Sequence, residues 1–158
     1  MAYSSDRRLH VLWADNIQSG PNGKVDLLGV YGVEMRLPEP TTISQMYAFV
    51  EVSTPVDRPF QSISLLVQAD DEEMVNFNVP ATVIAQAKES AGESNGAEAH
   101  PGVTDVRTAL RIGLPISGVK VTGHRFLMVR ATTEEGSMVG ETLLISVAQS
   151  ARTESVRE

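Results

Sequence analysis

Short runs of alternating apolar and polar residues, cut at fairly even intervals by turn-forming clusters, constrain this chain more than any other feature. Leu9-His10-Val11-Leu12-Trp13-Ala14 gives way to Ser19-Gly20-Pro21-Asn22-Gly23, residues 25–37 end at Pro38-Glu39-Pro40, and the same punctuation recurs to Val147. A strand turns successive side chains to opposite faces, so a period of two marks a segment with one face in the core. Strand-length segments at this spacing predict an all-β fold: an antiparallel β-sandwich of about eight strands with one short helix.

The pattern places a first strand over 8–17 and a hairpin turn at Gly20-Pro21-Asn22-Gly23, where proline presets φ and Asn-Gly tolerates positive φ. A second strand spans 24–37, with Gly29 and Gly32 marking a bulge or bend. In a third, 42–53, Met46, Ala48, Val50 and Val52 share one face, and Ile43, Tyr47 and Phe49 the other. The segment 60–69 alternates Ile63, Leu65, Val67 and Ala69 against Ser62, Ser64 and Gln68. Asp70-Asp71-Glu72-Glu73 turns the chain into a strand over 74–79 that buries Val75, Phe77 and Val79. Residues 80–88 read as a short helix with proline in its first turn, and 89–102 as a mobile loop. Strands over 104–116, 119–132 and 138–146 close a single domain of residues 1–150, and 151–158 form a polar tail.

Composition narrows the classes. A chain of 158 residues with 42% hydrophobic content can bury a sizeable core. Its net charge of −7 argues against nucleic acid and against anionic membranes. The chain has no cysteine, which removes disulfides, thiolate catalysis and cysteine-based zinc sites. No apolar stretch has the length of a membrane span, and the first residues lack a secretory signal's apolar core. The expectation is a cytoplasmic protein without cofactor or metal.

One region inverts the charge. Between Val106 and Thr133 lie Arg107, Arg111, Lys120, Arg125 and Arg130, and no acid. If Ser117-Gly118 makes a two-residue hairpin turn, Leu114 faces Val121 and Leu110 faces Arg125 on a core face, with Arg125 out of place. The opposite face then carries Arg107, Arg111, Lys120, His124 and Arg130 around Phe126 and Met128. Guanidinium forks beside an aromatic plane suit a phosphate-bearing or acidic ligand. Arg107, Arg111, Lys120, His124, Phe126 and Arg130 are therefore the candidate ligand-binding residues. The competing reading is a solvated face whose long side chains shield a sheet edge. A bulge at Gly123 would instead turn Phe126 and Met128 into the core.

Other motifs are weaker. Asp70–Glu73 lacks the spaced ligands and glycine of a calcium loop and reads as a solvated turn. His10, His100 and His124 show no zinc spacing. A dispersed Ser-His-Asp hydrolase site stays open as a third reading, although no Gly-x-Ser-x-Gly elbow is present. Gly29-Val30-Tyr31-Gly32 lacks the lysine and helix of a phosphate loop. Trp13 shares its phase with Leu9 and Val11 and belongs in the core, where its N–H needs an acceptor. Asp15 falls on the same phase, so it is either a paired buried acid or lies at the strand's exposed end.

Trp13-Ala14-Asp15-Asn16-Ile17, the glycine-containing turn, and Lys24-Val25-Asp26-Leu27-Leu28-Gly29-Val30-Tyr31-Gly32 resemble the opening of a family of small bacterial proteins of unknown function. The segment 125–130, the turn at Glu134-Glu135-Gly136 and the segment 143–147 fit that family's closing hairpin. Asn16 stands where a second acid is usual, and 80–102 looks like an insertion. The resemblance implies a β-sandwich and brings no activity, ligand or catalytic residue.

Strands apolar on both faces, notably 24–37 and 42–53, need cover on their outer side: a helix or loop of the same chain, or another subunit. The leading functional expectation is a non-catalytic interaction or structural module that self-associates or holds a protein partner, of bacterial or phage origin. The alternative is a binder of a small anionic ligand, a nucleotide or sugar phosphate, through the basic strand face.

Overall fold

A computed structural model describes residues 6–95 and 105–149. It shows an all-β sandwich of ten strands and one helix, two strands more than the sequence suggests. The strands are β1 (Arg8–Ser19), β2 (Val25–Val30), β3 (Glu34–Leu37), β4 (Thr41–Pro55), β5 (Ile63–Ala69) and β6 (Glu72–Asn78). After the helix α1 (Ala81–Asn95) come β7 (Arg107–Val121), β8 (Arg125–Thr133), β9 (Gly136–Val139) and β10 (Leu143–Val147). One sheet has the order β2-β1-β4-β7. The other has the order β3-β10-β8-β5-β6, with β9 also paired to β8.

The alternation does what its period implies. Met46, Ala48, Val50 and Val52 of β4 are all fully buried, as are Leu65, Val67 and Ala69 of β5. Leu127, Val129 and Ala131 of β8 lie beside the β5 series in the second sheet, and Leu143 and Ile145 of β10 complete that layer against the first sheet. Each fully buried Val or Leu of this kind contributes about 1.5–3 kcal/mol. Asn22 and Gly23, at the β1–β2 turn, take φ of 60° and 71°, the left-handed conformation that an Asn-Gly pair supplies.

Four expectations about elements are overturned. The segment 24–37 is two strands, not one. β2 pairs with β1, whereas β3 crosses to the second sheet and runs parallel to β10. Gly29, at φ 64°, distorts the end of β2 before that crossing. Second, 138–146 is also two strands, broken at residues 140–142, where the chain bends toward β1. Third, residues 89–95 continue α1 instead of forming a loop. The rest of the expected loop, 96–104, and the expected tail lie outside the described residues.

The largest correction concerns Ser117-Gly118. No hairpin forms there. β7 runs unbroken for 15 residues and pairs with β4 from Pro55↔Arg107 to Thr41↔Val121. Gly118 takes φ 70° inside that strand, and the phase of burial switches across it, from Leu114 and Ile116 to Val119 and Val121. The positive φ that a hairpin turn would use is spent on re-phasing one long strand. The chain leaves the first sheet only at residues 122–124 and enters the second as β8.

Candidate functional site

Because β7 and β8 belong to different sheets, the six candidate ligand-binding residues do not share a face. Arg107, Arg111 and Lys120 lie on β7 of the first sheet, Phe126 and Arg130 lie on β8 of the second, and His124 stands in the connection between them. The cross-strand pairs of Arg111 with His124 and of Ala109 with Phe126 do not exist; Arg111 instead lies opposite Glu51 and holds it at 2.7 Å. Arg107 is occupied by the Ser53 hydroxyl at 3.3 Å, by Asp105 at 3.2 Å and by the Asp6 carbonyl. The shared face rests on a hairpin register that does not form, and two of its cations, Arg107 and Arg111, are held in structural contacts.

Arg125, the misfit of the sequence reading, explains itself as a clamp between the sheets. Its Nε donates to Asp70 Oδ2 at 3.1 Å and its Nη1 to the Lys120 carbonyl of β7 at 3.0 Å. Its Nη2 donates to the Ala69 carbonyl at 2.8 Å and to Glu72 Oε2 at 3.0 Å. Burial alone would lower its pKa, but Glu72 and Asp70 outweigh that and hold it above its ordinary value. Two acids of the run Asp70–Glu73, Asp70 in the turn and Glu72 at the start of β6, therefore hold this arginine. Among the described residues no His, Asp and Glu cluster has the makings of a metal site.

The opposite pole has a buried arginine that the sequence reading passed over. Arg7 packs over the Phe60 ring, 4.7 Å from its centroid, and donates to Thr54 Oγ1 at 3.3 Å. It ion-pairs with Glu134 and, at 3.3 Å, with Glu135. Glu134 Oε2 also accepts the Gln61 and Ser62 N–H groups, each at 3.2 Å. One carboxylate thus ties the N-terminal segment, the β4–β5 connection and the β8–β9 turn together.

A third tie closes the side of the sandwich. Trp13 is 2% exposed, and its indole N–H donates to the Glu141 carbonyl at 2.9 Å. The Glu141 carboxylate accepts the Val11 N–H at 2.6 Å and faces His10 Nδ1 at 3.2 Å. The Val11 N–H lies on the stretch of β1 beyond the reach of β2, so Glu141 caps an open sheet edge. Asp15 lies at the exposed end of the strand and accepts the Tyr31 hydroxyl. Burial chiefly, then that bond, push the Tyr31 pKa to about 12.

What remains unaccounted for is the outer face of the first sheet. Leu12 lies opposite Phe49, which lies opposite Gly113. The next row is Val30, Ala14, Tyr47 and Pro115. Leu28 pairs with Asn16 beyond it. Leu12, Leu28 and Val30 are 46%, 45% and 50% exposed. Part of the cover comes from the chain itself: the Ile17 Cδ1 stands 3.0 Å from where a Gly113 Cβ would be, so the β1–β2 hairpin leans across β4 onto β7. The helix does not cover this face. α1 packs near Val56, Phe60 and Thr108, at the start of β7. These three rows carry no charged side chain, and the flanking row is the Glu51–Arg111 pair beside His10.

The signal for this surface lay in the sequence as strands apolar on both faces and as the unbroken run Val11-Leu12-Trp13. Which outer residues stay uncovered depended on the partners of each strand, which no local pattern states. Comparison with known families, with curated proteins and with solved structures finds no match to this chain.

Proposed function

We propose that this chain is a non-catalytic interaction module that self-associates, two copies meeting through the uncharged outer face of the first sheet. The observation that carries the reading is the coincidence of exposed apolar side chains at Leu12, Leu28 and Val30 with absent charge, half-buried Tyr47 lying in the same row as Val30. The occupant follows from electrostatics. Copies of a chain with net charge −7 repel one another over most of their surfaces. The apolar rows are where they meet with least repulsion and with water released from both sides. Isologous packing needs only that the patch complement itself, as an apolar strip does.

Sedimentation equilibrium of the parent protein and of Leu12→Glu and Val30→Glu tests the proposal, with Val33→Glu as control. Val33 is 83% exposed and lies in the β2–β3 crossing, off the apolar rows. The parent and the control should reach twice the chain mass at micromolar concentration, and both face variants should remain single chains. A parent that keeps the mass of one chain throughout, or face variants that dimerise like the parent, would overturn the proposal.

A further inference from the structure

The outer face of the second sheet has a different character. Every other arginine among the described residues ion-pairs with a carboxylate. Arg130 does not, and its side chain makes no hydrogen bond among the described residues, although it is half-buried in the middle of β8. It lies opposite Leu66 of β5 on one side and Val139 of β9 on the other, so its stem is packed between apolar neighbours and its head is left unneutralised. A half-buried guanidinium that has given up part of its hydration without a counter-ion has an interaction to gain from an anion.

Its surroundings fit a hydroxylated anion rather than a bare ion. Ser64 and Gln68 flank Leu66 on β5, which places each diagonally from Arg130 with Cβ atoms about 7–8 Å away. Asn76 lies beyond Leu66 on β6. The side chains of Ser64, Gln68 and Asn76 have no hydrogen-bond partner among the described residues. Phe126, 51% exposed, lies four positions back along β8, about 13 Å away at strand rise. The arrangement is a guanidinium fork, three open hydroxyl or amide groups within reach of it, and an aromatic plane about a disaccharide's length away.

We propose that this face binds an anionic saccharide, with Arg130 taking its carboxylate or phosphate and Ser64, Gln68 and Asn76 its hydroxyls. The site lies on the opposite side of the sandwich from the proposed dimer face, so the two readings stand or fall separately, and a dimer would present two such sites facing outward. Amide-resolved NMR titration of the uniformly labelled full chain tests it, with glucuronate, glucose 6-phosphate, glucose and inorganic phosphate as probes. At least one anionic sugar should shift the Ser64, Gln68, Asn76 and Arg130 amides with a Kd below about 10 mM. Glucose and inorganic phosphate should bind at least about tenfold more weakly, and Arg130→Gln should lose about the same factor while Arg130→Lys keeps part of it. Carboxylate and phosphate are told apart by which anionic sugar binds more tightly. The proposal is overturned if neither anionic sugar moves those amides, if glucose or phosphate binds equally well, or if Arg130→Gln, melting like the parent, binds like the parent.

Discussion

Replacing Glu134 by glutamine probes the pole at which Arg7 is buried. The Arg7 side chain is 1% exposed and the Glu134 side chain 24%. Burial alone would raise the Glu134 pKa, but the Arg7 guanidinium and the Ser62 and Gln61 N–H groups outweigh it and hold it at about 2, against an ordinary 4.5. At about 1.36 kcal/mol per pH unit, the ionised carboxylate favours the folded chain by about 3 kcal/mol. The sign follows from the depressed pKa. This stabilisation is fully present above pH 4.5 and drains away as pH falls toward 2. Glutamine still accepts from the Gln61 and Ser62 N–H groups, and Glu135 at 3.3 Å still faces Arg7, so the loss should sit near the low end of the about 3–5 kcal/mol for breaking a buried pair. Urea unfolding followed by Trp13, the single tryptophan, should show Glu134→Gln about 3 kcal/mol less stable at neutral pH. The gap should shrink to under about 1 kcal/mol near the pKa of the native carboxyl. A gap that is small at neutral pH, or that stays constant down the acid range, would refute the ionic account of this pole.

Three further outcomes follow from other contacts. Arg125→Met should cost about 1–3 kcal/mol in urea unfolding, because it leaves the Ala69 and Lys120 carbonyls, which join the sheets, without this donor, while exposed Asp70 and Glu72 turn to water. Gly140→Ala should cost about 1–3 kcal/mol, since its Cβ would overlap Val11 Cγ2 and stand 3.3 Å from Leu9 Cγ; Gly118→Ala, with open space but φ 70°, should cost only about 1 kcal/mol. Spectrophotometric titration should show one tyrosine ionising near pH 12, and Tyr31→Phe should remove that step; the stability that hydroxyl contributes is present below pH 10 and is lost as pH rises through 12.

The faces of β4 and β5 were legible because alternation is local: Met46 to Val52 and Ile63 to Ala69 read directly as buried series. The need of Trp13 for an acceptor was legible too, though not that the acceptor would be the Glu141 carbonyl, 128 residues away. Gly118 misled because positive φ serves both a hairpin turn and a re-phased strand, and only the partner decides which. Here the partner is β4, also 15 residues long, and pairing along its whole length outweighs a local turn preference. The shared face expected for the candidate residues does not form for the same reason: faces built from an assumed register transfer every side chain to the wrong neighbour when the register is wrong. Residues 89–95 read as loop from Ser, Gly and Glu, yet a helix anchored by Ile84 in the core extends through them. Arg130 and Phe126 lie on one face of the second sheet, but that Arg130 has no acid of its own became visible only once each remaining arginine had found one.

Amide hydrogen exchange of the parent protein at dilute and at high concentration tests the dimer face most directly. Concentration should slow exchange in the stretches around Leu12, Leu28 and Tyr47 while leaving β5 and β8 of the second sheet unchanged. Slowing confined to the second sheet, or a doubled mass with no slowing along β1, β2 and β4, would contradict it.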